Sequence, residues 1–275
     1  MLETARLYAA TTRRIVPRGG RSLGRRLGRS DDRLVFVVGS PRSGTTFLGE
    51  ALGGLPGFVD LGEVAPLKAA IPALYGLAGD EAATRIRRIL DWIRRLGLVP
   101  WLRAVEQTPE VSFVLASALR AFPGARAVHV ARDGRDVVCS LLERGWLSAE
   151  RGGRDDAGLP YGSRARFWVE PERRDEFERA SDATRAAWAW RAYVSAARAA
   201  PEQTLEVRYE SLAHEREAVA GAIAEHLGVA ADAVLTNLAA AHAESIGRHR
   251  RDLTPDQLAD VEREAGTLLR ALGYA

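Results

Sequence analysis

Sulfur and lysine are nearly missing from this 275-residue chain, which carries one cysteine, Cys139, one methionine and one lysine, Lys68, among 39 basic residues. A single thiol excludes an intramolecular disulfide and a cysteine-rich metal site, and fits a reducing compartment such as a bacterial cytosol. With lysine so scarce, any phosphate or sulfate contact falls to arginine forks, backbone amides or hydroxyls. No apolar run reaches the roughly eighteen residues of a membrane span. The N-terminus also lacks a continuous apolar stretch followed by a cleavage site. The chain is therefore expected to be soluble and cytoplasmic. No repeat with a period of roughly 20–50 residues is visible.

What the chain does hold is 47% apolar content, enough to bury one sizeable core. Formal net charge is only +3. The positive excess lies near the N-terminus and at 248–251 rather than along a continuous stripe, so nucleic acid is not expected as a partner. Residues 1–33 carry Arg13, Arg14, Arg18, Arg21, Arg25, Arg26 and Arg29 among glycines, without a clean helical stripe, and read as a loosely ordered basic arm. Two roles fit such an arm, a solvated leader and a membrane-surface contact.

Leu34 to Val38 is a fully apolar run of the kind a parallel sheet buries on both faces. A glycine turn, Gly39 to Gly44, leads from it into a helix with Phe47, Leu48, Ala51, Leu52 and Leu55 on one side, stopped by Gly53-Gly54. Further strands are expected at 58–60, 125–130 and 205–209. Helices are expected at 81–97, 110–121, after the Arg132 turn through Leu142, at 183–199 and at 214–227. Gly62-Glu63 and a proline-punctuated segment to Pro72 follow the strand at 58–60. The last helix has Thr254 as N-cap, Pro255 in its first turn and Gln257 as reciprocal capping partner. Residues 145–180, rich in glycine, proline, aromatics and both charge signs, read as a long functional loop or lid. Together these elements predict an α/β fold, a mostly parallel central sheet flanked by helices on both faces, in one domain over 34–275.

The glycine turn points backbone N–H groups and a positive helix end at one spot, which suits a phosphate. Its glycine spacing is that of a Walker A loop, yet Thr45 stands where the lysine belongs and Arg42 is the only cation inside. A P-loop kinase would need that lysine and a magnesium-binding acid after a second strand. A non-catalytic nucleotide- or membrane-binding module needs neither. No clustered His, Cys and carboxylate spacing suggests a metal, and none is expected.

Four segments in order carry a resemblance: Gly39-Ser-Pro-Arg42-Ser43-Gly44-Thr45-Thr46, Arg132-Asp-Gly-Arg-Asp-Val-Val-Cys-Ser140, Val207-Arg208-Tyr209-Glu210-Ser211-Leu212 and Ser245-Ile246-Gly247-Arg248. Together they resemble the sulfotransferases that use 3′-phosphoadenosine 5′-phosphosulfate. The resemblance implies a P-loop-like sulfotransferase architecture, that nucleotide as donor, adenosine 3′,5′-bisphosphate as product, and no metal. It implies that Arg42, Ser43, Gly44, Thr45 and Thr46 hold the 5′-phosphosulfate, that Phe47 is the adenine platform, and that Arg132 and Ser140 grip the 3′-phosphate. It also implies that Tyr209, Gly247 and Arg248 complete the nucleotide site. Glu63 resembles the glutamate base of the branch that sulfates protein tyrosines, and Arg42 would stabilise charge on the donor phosphate.

Each of these residues also has a plainer reading. Thr45 and Thr46 suit ordinary helix N-terminal positions, Phe47 core packing, Arg132-Asp133 a surface ion pair, and Glu63 an exposed turn. The family places a lysine in the segment resembling Glu106-Gln107-Thr108-Pro109, where Gln107 supplies no charge. Either Arg42 suffices, or another cation such as Lys68 approaches, or the transfer is slow; Lys68 by itself reads as a lone surface lysine. His249 stands where the family often carries tryptophan. Trp146, Tyr161, Phe167 and Trp168 either wall an acceptor pocket or pin the long loop to the core. The acceptor stays open among small molecules, glycans and lipids, and the sequence does not give the oligomeric state.

Overall fold

Alternation along Leu34–Val38, the strand β1, builds the two layers of the protein. Leu34, Phe36 and Val38 enter one apolar cluster and Val35 and Val37 another, because successive side chains point to opposite faces. The structure, a computed structural model, describes residues 2–15, 34–97, 99–100, 102–241 and 243–274. The other strands are β2 (Phe58–Gly62), β3 (Arg103–Glu106), β4 (Arg126–Ala131) and β5 (Thr204–Arg208). All pair in parallel in the order β2-β3-β1-β4-β5, with Phe36 opposite Glu106 and Val38 opposite His129. The α/β class expected from the sequence is the class observed.

The first helices are α1 (Leu2–Ile15), α2 (Thr45–Gly53), α3 (Ala65–Leu74), α4 (Gly79–Leu96), α5 (Leu115–Ala121) and α6 (Gly134–Arg144). They are followed by α7 (Arg174–Arg179), α8 (Asp182–Arg198), α9 (Tyr209–His214), α10 (Arg216–Leu227), α11 (Ala231–Asn237), α12 (His249–Asp252) and α13 (Pro255–Ala271). Residues of α3, α4 and α5 pack on the Phe36 face of the sheet, and residues of α2, α10 and α11 on the Val37 face. A third cluster joins α6, α8 and α13 through Val137, Trp188, Trp190 and Leu269. The capping box at Thr254 and Gln257 starts α13 as expected. No helix among the described residues is long and apolar enough to cross a membrane.

Several local features differ from what the sequence suggests. Residues 2–15 of the basic arm form a helix rather than a loose leader; Thr11 and Ile15, four apart, are buried while Arg6, Arg13 and Arg14 stay outside. The rest of that arm, 16–33, lies outside the described residues. The proline-punctuated stretch is the helix α3, with Pro66 in its first turn, where the missing N–H is not needed, and Pro72 inside it. Strand β3 was not anticipated, since its four residues, Arg103-Ala-Val-Glu106, are charged at both ends. The helix expected at 110–121 begins as a 3-10 turn over Pro109–Val114, while the helix expected at 214–227 is α10, preceded by a short helix, α9, that was not anticipated.

Topology then fixes where ligands gather. The chain passes from β1 to β2 and back to β3 on one side of β1, then crosses to β4 and β5 on the other. Connections leaving the carboxyl ends of β1 and β4 thus diverge and open a crevice, the place where open α/β sheets bind ligands. The glycine turn follows β1, and Arg132 follows β4.

Candidate functional site

Close packing shapes the turn after β1. A side chain at Gly39 would meet the Val130 carbonyl at 2.6 Å, and one at Gly44, where φ is +97°, would meet the Tyr209 ring at 2.6 Å. Arg42 adopts φ of +72°, a conformation a side-chain-bearing residue rarely holds unless its surroundings enforce it. Its Nε donates to Ser140 Oγ at 2.9 Å, and its guanidinium lies 5.7 Å from the Trp146 ring. Gly44 is the N-cap of α2 and provides no side-chain cap, so the first amides of the helix keep their donors for an anion.

The second half of the site hangs from β4. Arg132 donates from one terminal nitrogen to the Arg42 carbonyl at 2.9 Å and from the other to the Ser245 carbonyl at 2.7 Å. Its guanidinium lies 4.4 Å over the Tyr209 ring, and its buried Nε has no partner. Trp190 Nε1 donates to the Arg132 carbonyl at 3.0 Å, and the same indole fills the space that any side chain at Gly134 would need. Asp136, fully buried on α6, accepts from the amides of Gly247 (2.7 Å) and His249 (3.0 Å) and pairs with His249 Nδ1 at 2.7 Å. One carboxylate therefore pins the 245–249 loop against α6, and His249 is part of that anchor. Asp133, Asp136 and His249 bring potential ligand atoms within 4.8 Å of one another. Each is already engaged, however, Asp133 by the Arg135 amide (2.9 Å) and guanidinium (2.7 Å).

These elements wall a cavity of about 380 Å³ whose lining includes Arg42, Gly44, Thr45, Thr46, Phe47, Arg132, Ser140, Tyr209 and Arg248. Two residues expected there do not line it. Ser43 is buried and its amide donates to the Ser40 carbonyl at 3.1 Å, while the Gly247 amide goes to Asp136. Burial lowers the Arg42 pKa, and the neighbouring guanidinium groups of Arg144 and Arg132 lower it further. The cavity is thus a place where positive charge is crowded and an anion relieves the repulsion. Arg248 is at present paired with Asp252 (2.7 Å) and Glu143 (3.2 Å).

A second cavity, of about 250 Å³, shares Arg42, Thr45 and Thr46 with the first. Trp146, Tyr161 and Trp168 wall it, whereas Phe167 packs edge-on against Tyr75 and Phe113 with ring centroids 5.6 and 5.2 Å away. Glu63 and Lys68 lie in this cavity, joined at 2.8 Å. Lys68 is not the surface lysine its isolation suggests, being 9% exposed. Burial opposes its charge, but Glu110, Glu63 and Asp155 outweigh that and raise its pKa. Gln107 lines neither cavity; it donates to Asp60 Oδ1 at 3.2 Å and sits against Gly49. Behind it, burial lifts the Glu106 carboxyl to about 8 although Thr108 donates to it from both its amide and its hydroxyl. Cys139 on α6 is buried, and its thiol is pushed up to about 12, which leaves it inert.

The sequence reading missed Asp136, Ser245 and the approach of Lys68 to Asp155 and Glu110, all contacts between segments far apart in the chain. The only local signal was the aspartate-rich turn Arg132-Asp-Gly-Arg-Asp136, whose second acid has no duty within its own helix.

Comparison with known proteins gives one family and one fold. The model of the sulfotransferase family matches residues 79–233, more than half of the chain. That span includes Arg132, Ser140 and Tyr209 and begins after the glycine turn. No curated protein matches. Among solved structures, the mouse sulfotransferase SULT7A1 complexed with PAP is similar with a TM-score of 0.53 at 14% identity, over 89% of this chain and 89% of that one. The sulfotransferase domain of the Synechococcus PCC 7002 olefin synthase is similar with a TM-score of 0.51 at 17% identity, over 84% of this chain and 93% of that one. Sulfotransferase STF9 from Mycobacterium avium gives 0.52 at 15% identity, over 87% and 76%. At these identities the likeness is one of fold.

Proposed function

The chain belongs to the sulfotransferase family, and on that premise we propose that it moves a sulfuryl group from 3′-phosphoadenosine 5′-phosphosulfate to a hydroxyl or amine of a small-molecule acceptor, with no metal ion required. The observation that carries this reading is that both anion-binding halves meet in one cavity. Arg132 donates to the Arg42 carbonyl at 2.9 Å and Arg42 donates to Ser140 at 2.9 Å, so the amide-lined turn and the arginine-serine pair share a wall. The donor set fits such a nucleotide. It consists of an uncapped helix start, an unpartnered Arg132 Nε and a crowd of guanidinium groups, all hydrogen-bond donors suited to oxyanions. The mouse structure of the same fold, solved with PAP, supports the choice of nucleotide.

When bound, the donor supplies an activated sulfuryl group. The amides from Gly44 to Thr46 hold its 5′ end, Arg132 and Ser140 its 3′-phosphate, and Phe47 and Tyr209 flank the rest. Arg42 lines both cavities and offers its charge where negative charge builds on the leaving side. Glu63, in the second cavity, takes the proton from the attacking hydroxyl. Trp146, Tyr161 and Trp168 keep water from that hydroxyl and orient a flat or apolar acceptor body.

Calorimetry with adenosine 3′,5′-bisphosphate, with and without Mg²⁺, tests the donor assignment. Binding of equal strength in both conditions is expected. Absence of binding, or binding only with Mg²⁺, would overturn the reading in favour of another nucleotide chemistry.

A further inference from the structure

Three carboxylates converge on the one lysine of the chain, Glu63 from just before it in sequence and Glu110 and Asp155 from distant segments. Lys68 projects from α3, and its Nζ lies 2.8 Å from Glu63 Oε2, 3.1 Å from Asp155 Oδ2 and 4.0 Å from Glu110 Oε2. All four side chains line the second cavity. We propose that Lys68 is a positioning residue: its ammonium aims the Glu63 carboxylate and, through Asp155, holds the 154–161 loop over the acceptor cavity, so that base orientation and loop closure are one event. This rests on the reading of Glu63 as the base.

Residue choice supports the assignment. Every other Lys or Arg position in the sequence is arginine, yet here, where three carboxylates approach from different directions, the residue is lysine. An ammonium is a compact charge with three donors in different directions, whereas a guanidinium is a planar fork matched to one carboxylate. Asp155 is equally committed. Its Oδ1 accepts the amides of Ala157 (3.0 Å) and Leu159 (2.8 Å), which ties the turn together, and its Oδ2 faces Lys68. The carboxylate cannot swing away from Lys68 without disturbing the loop that carries it. On the other side Lys68 occupies Oε2 of Glu63, leaving Oε1 for the acceptor. With the ammonium already met by two carboxylates within 3.1 Å, it has little charge left to grip an anionic acceptor. Its work is on the base and the loop.

A single lysine makes the test clean. Acetic anhydride labelling of the full chain, read by peptide mass, follows Lys68 alone among side-chain amines, and protein grown with ¹⁵N-lysine gives one ammonium resonance. Wild-type Lys68 is expected to acetylate at least about tenfold more slowly than free lysine, as a side chain exposed only by local opening should. Asp155→Asn, which keeps the turn's acceptor and removes the charge, is expected to raise that rate about tenfold while the thermal melt stays cooperative. Glu63→Gln is expected to shift the ammonium resonance. Wild-type acetylation as fast as that of free lysine would overturn the proposal without any variant. So would an unchanged rate in folded Asp155→Asn, or an unmoved resonance in Glu63→Gln. Bisphosphate affinity of the same wild-type preparation reports separately on the donor reading, so the two can fail independently.

Discussion

The cavity beside the glycine turn is walled by strand ends and helix starts, whereas the cavity on the far side of Arg42 is walled by a loop and an ion cluster. In the first, Gly39, Gly44 and Gly134 press directly on backbone or rings, Trp190 supports the Arg132 carbonyl, and Asp136 fixes the closing loop by two amides. Little of it can move without losing packing. In the second, Lys68, Glu63 and Asp155 hold the walls by buried and partly buried charge contacts instead of close packing, contacts that salt screens little but that require all three groups to keep their charge. The difference suits the proposed division of the site, with the nucleotide held on one side and the acceptor on the other.

That contrast can be broken in four ways, given from the largest effect downward. Glu63→Gln is expected to lower turnover by about a hundredfold while bisphosphate affinity stays put, because it removes a base from the second cavity alone. Turnover is followed as bisphosphate release from the donor with a mixture of hydroxyl acceptors. Near-normal turnover would take Glu63 out of the mechanism. Gly44→Ala forces a methyl onto the Tyr209 ring at a left-handed backbone position and should destabilise the protein by about 2 kcal/mol in denaturant unfolding. An unchanged midpoint would mean the first cavity is less rigid than described. Arg132→Ala should weaken bisphosphate binding by more than about tenfold in calorimetry, through loss of charge-assisted contacts. Unchanged affinity would show that Arg132 only supports the turn.

The smallest effect concerns Glu106, buried at the carboxyl end of β3 and lining neither cavity. Burial raises its folded pKa from the ordinary 4.5 to about 8. Across that window the folded chain keeps a proton that the unfolded chain has released. The stability this provides is full below about 4.5 and is lost as pH rises through about 8. Glu106→Gln should flatten the fall in melting temperature over that range. A parallel pH profile in the variant would show that the carboxyl is already ionised in the folded state.

The same contrast explains what could be read from the sequence. The first cavity rests on local patterns: a β-run, a glycine turn and a helix within twenty residues, then an arginine turn at the end of another β-run. Those patterns, read together with the sulfotransferase resemblance they carry, led to Arg42, Gly44, Thr45, Thr46, Phe47, Arg132 and Ser140, all of which line one cavity. Ser43 and Gly247 lie on the same turns but face elsewhere, a distinction set by turn geometry that residue type does not encode. The second cavity is assembled from distant segments, so nothing near Lys68 in the sequence announces Asp155, 87 positions on. Strand β3 was hidden for a related reason. Its Glu106 is tolerated in the sheet only because Thr108 donates to it and burial favours its neutral form, a tertiary arrangement overriding local propensity.

Determination of the structure with adenosine 3′,5′-bisphosphate bound tests the central claim most directly. The account predicts one nucleotide in the cavity shared by Gly44 and Arg132, its 3′-phosphate on Arg132 and Ser140 and its 5′-phosphate on the amides that start α2. A nucleotide bound elsewhere, or one whose 3′-phosphate leaves Arg132 untouched, would contradict it.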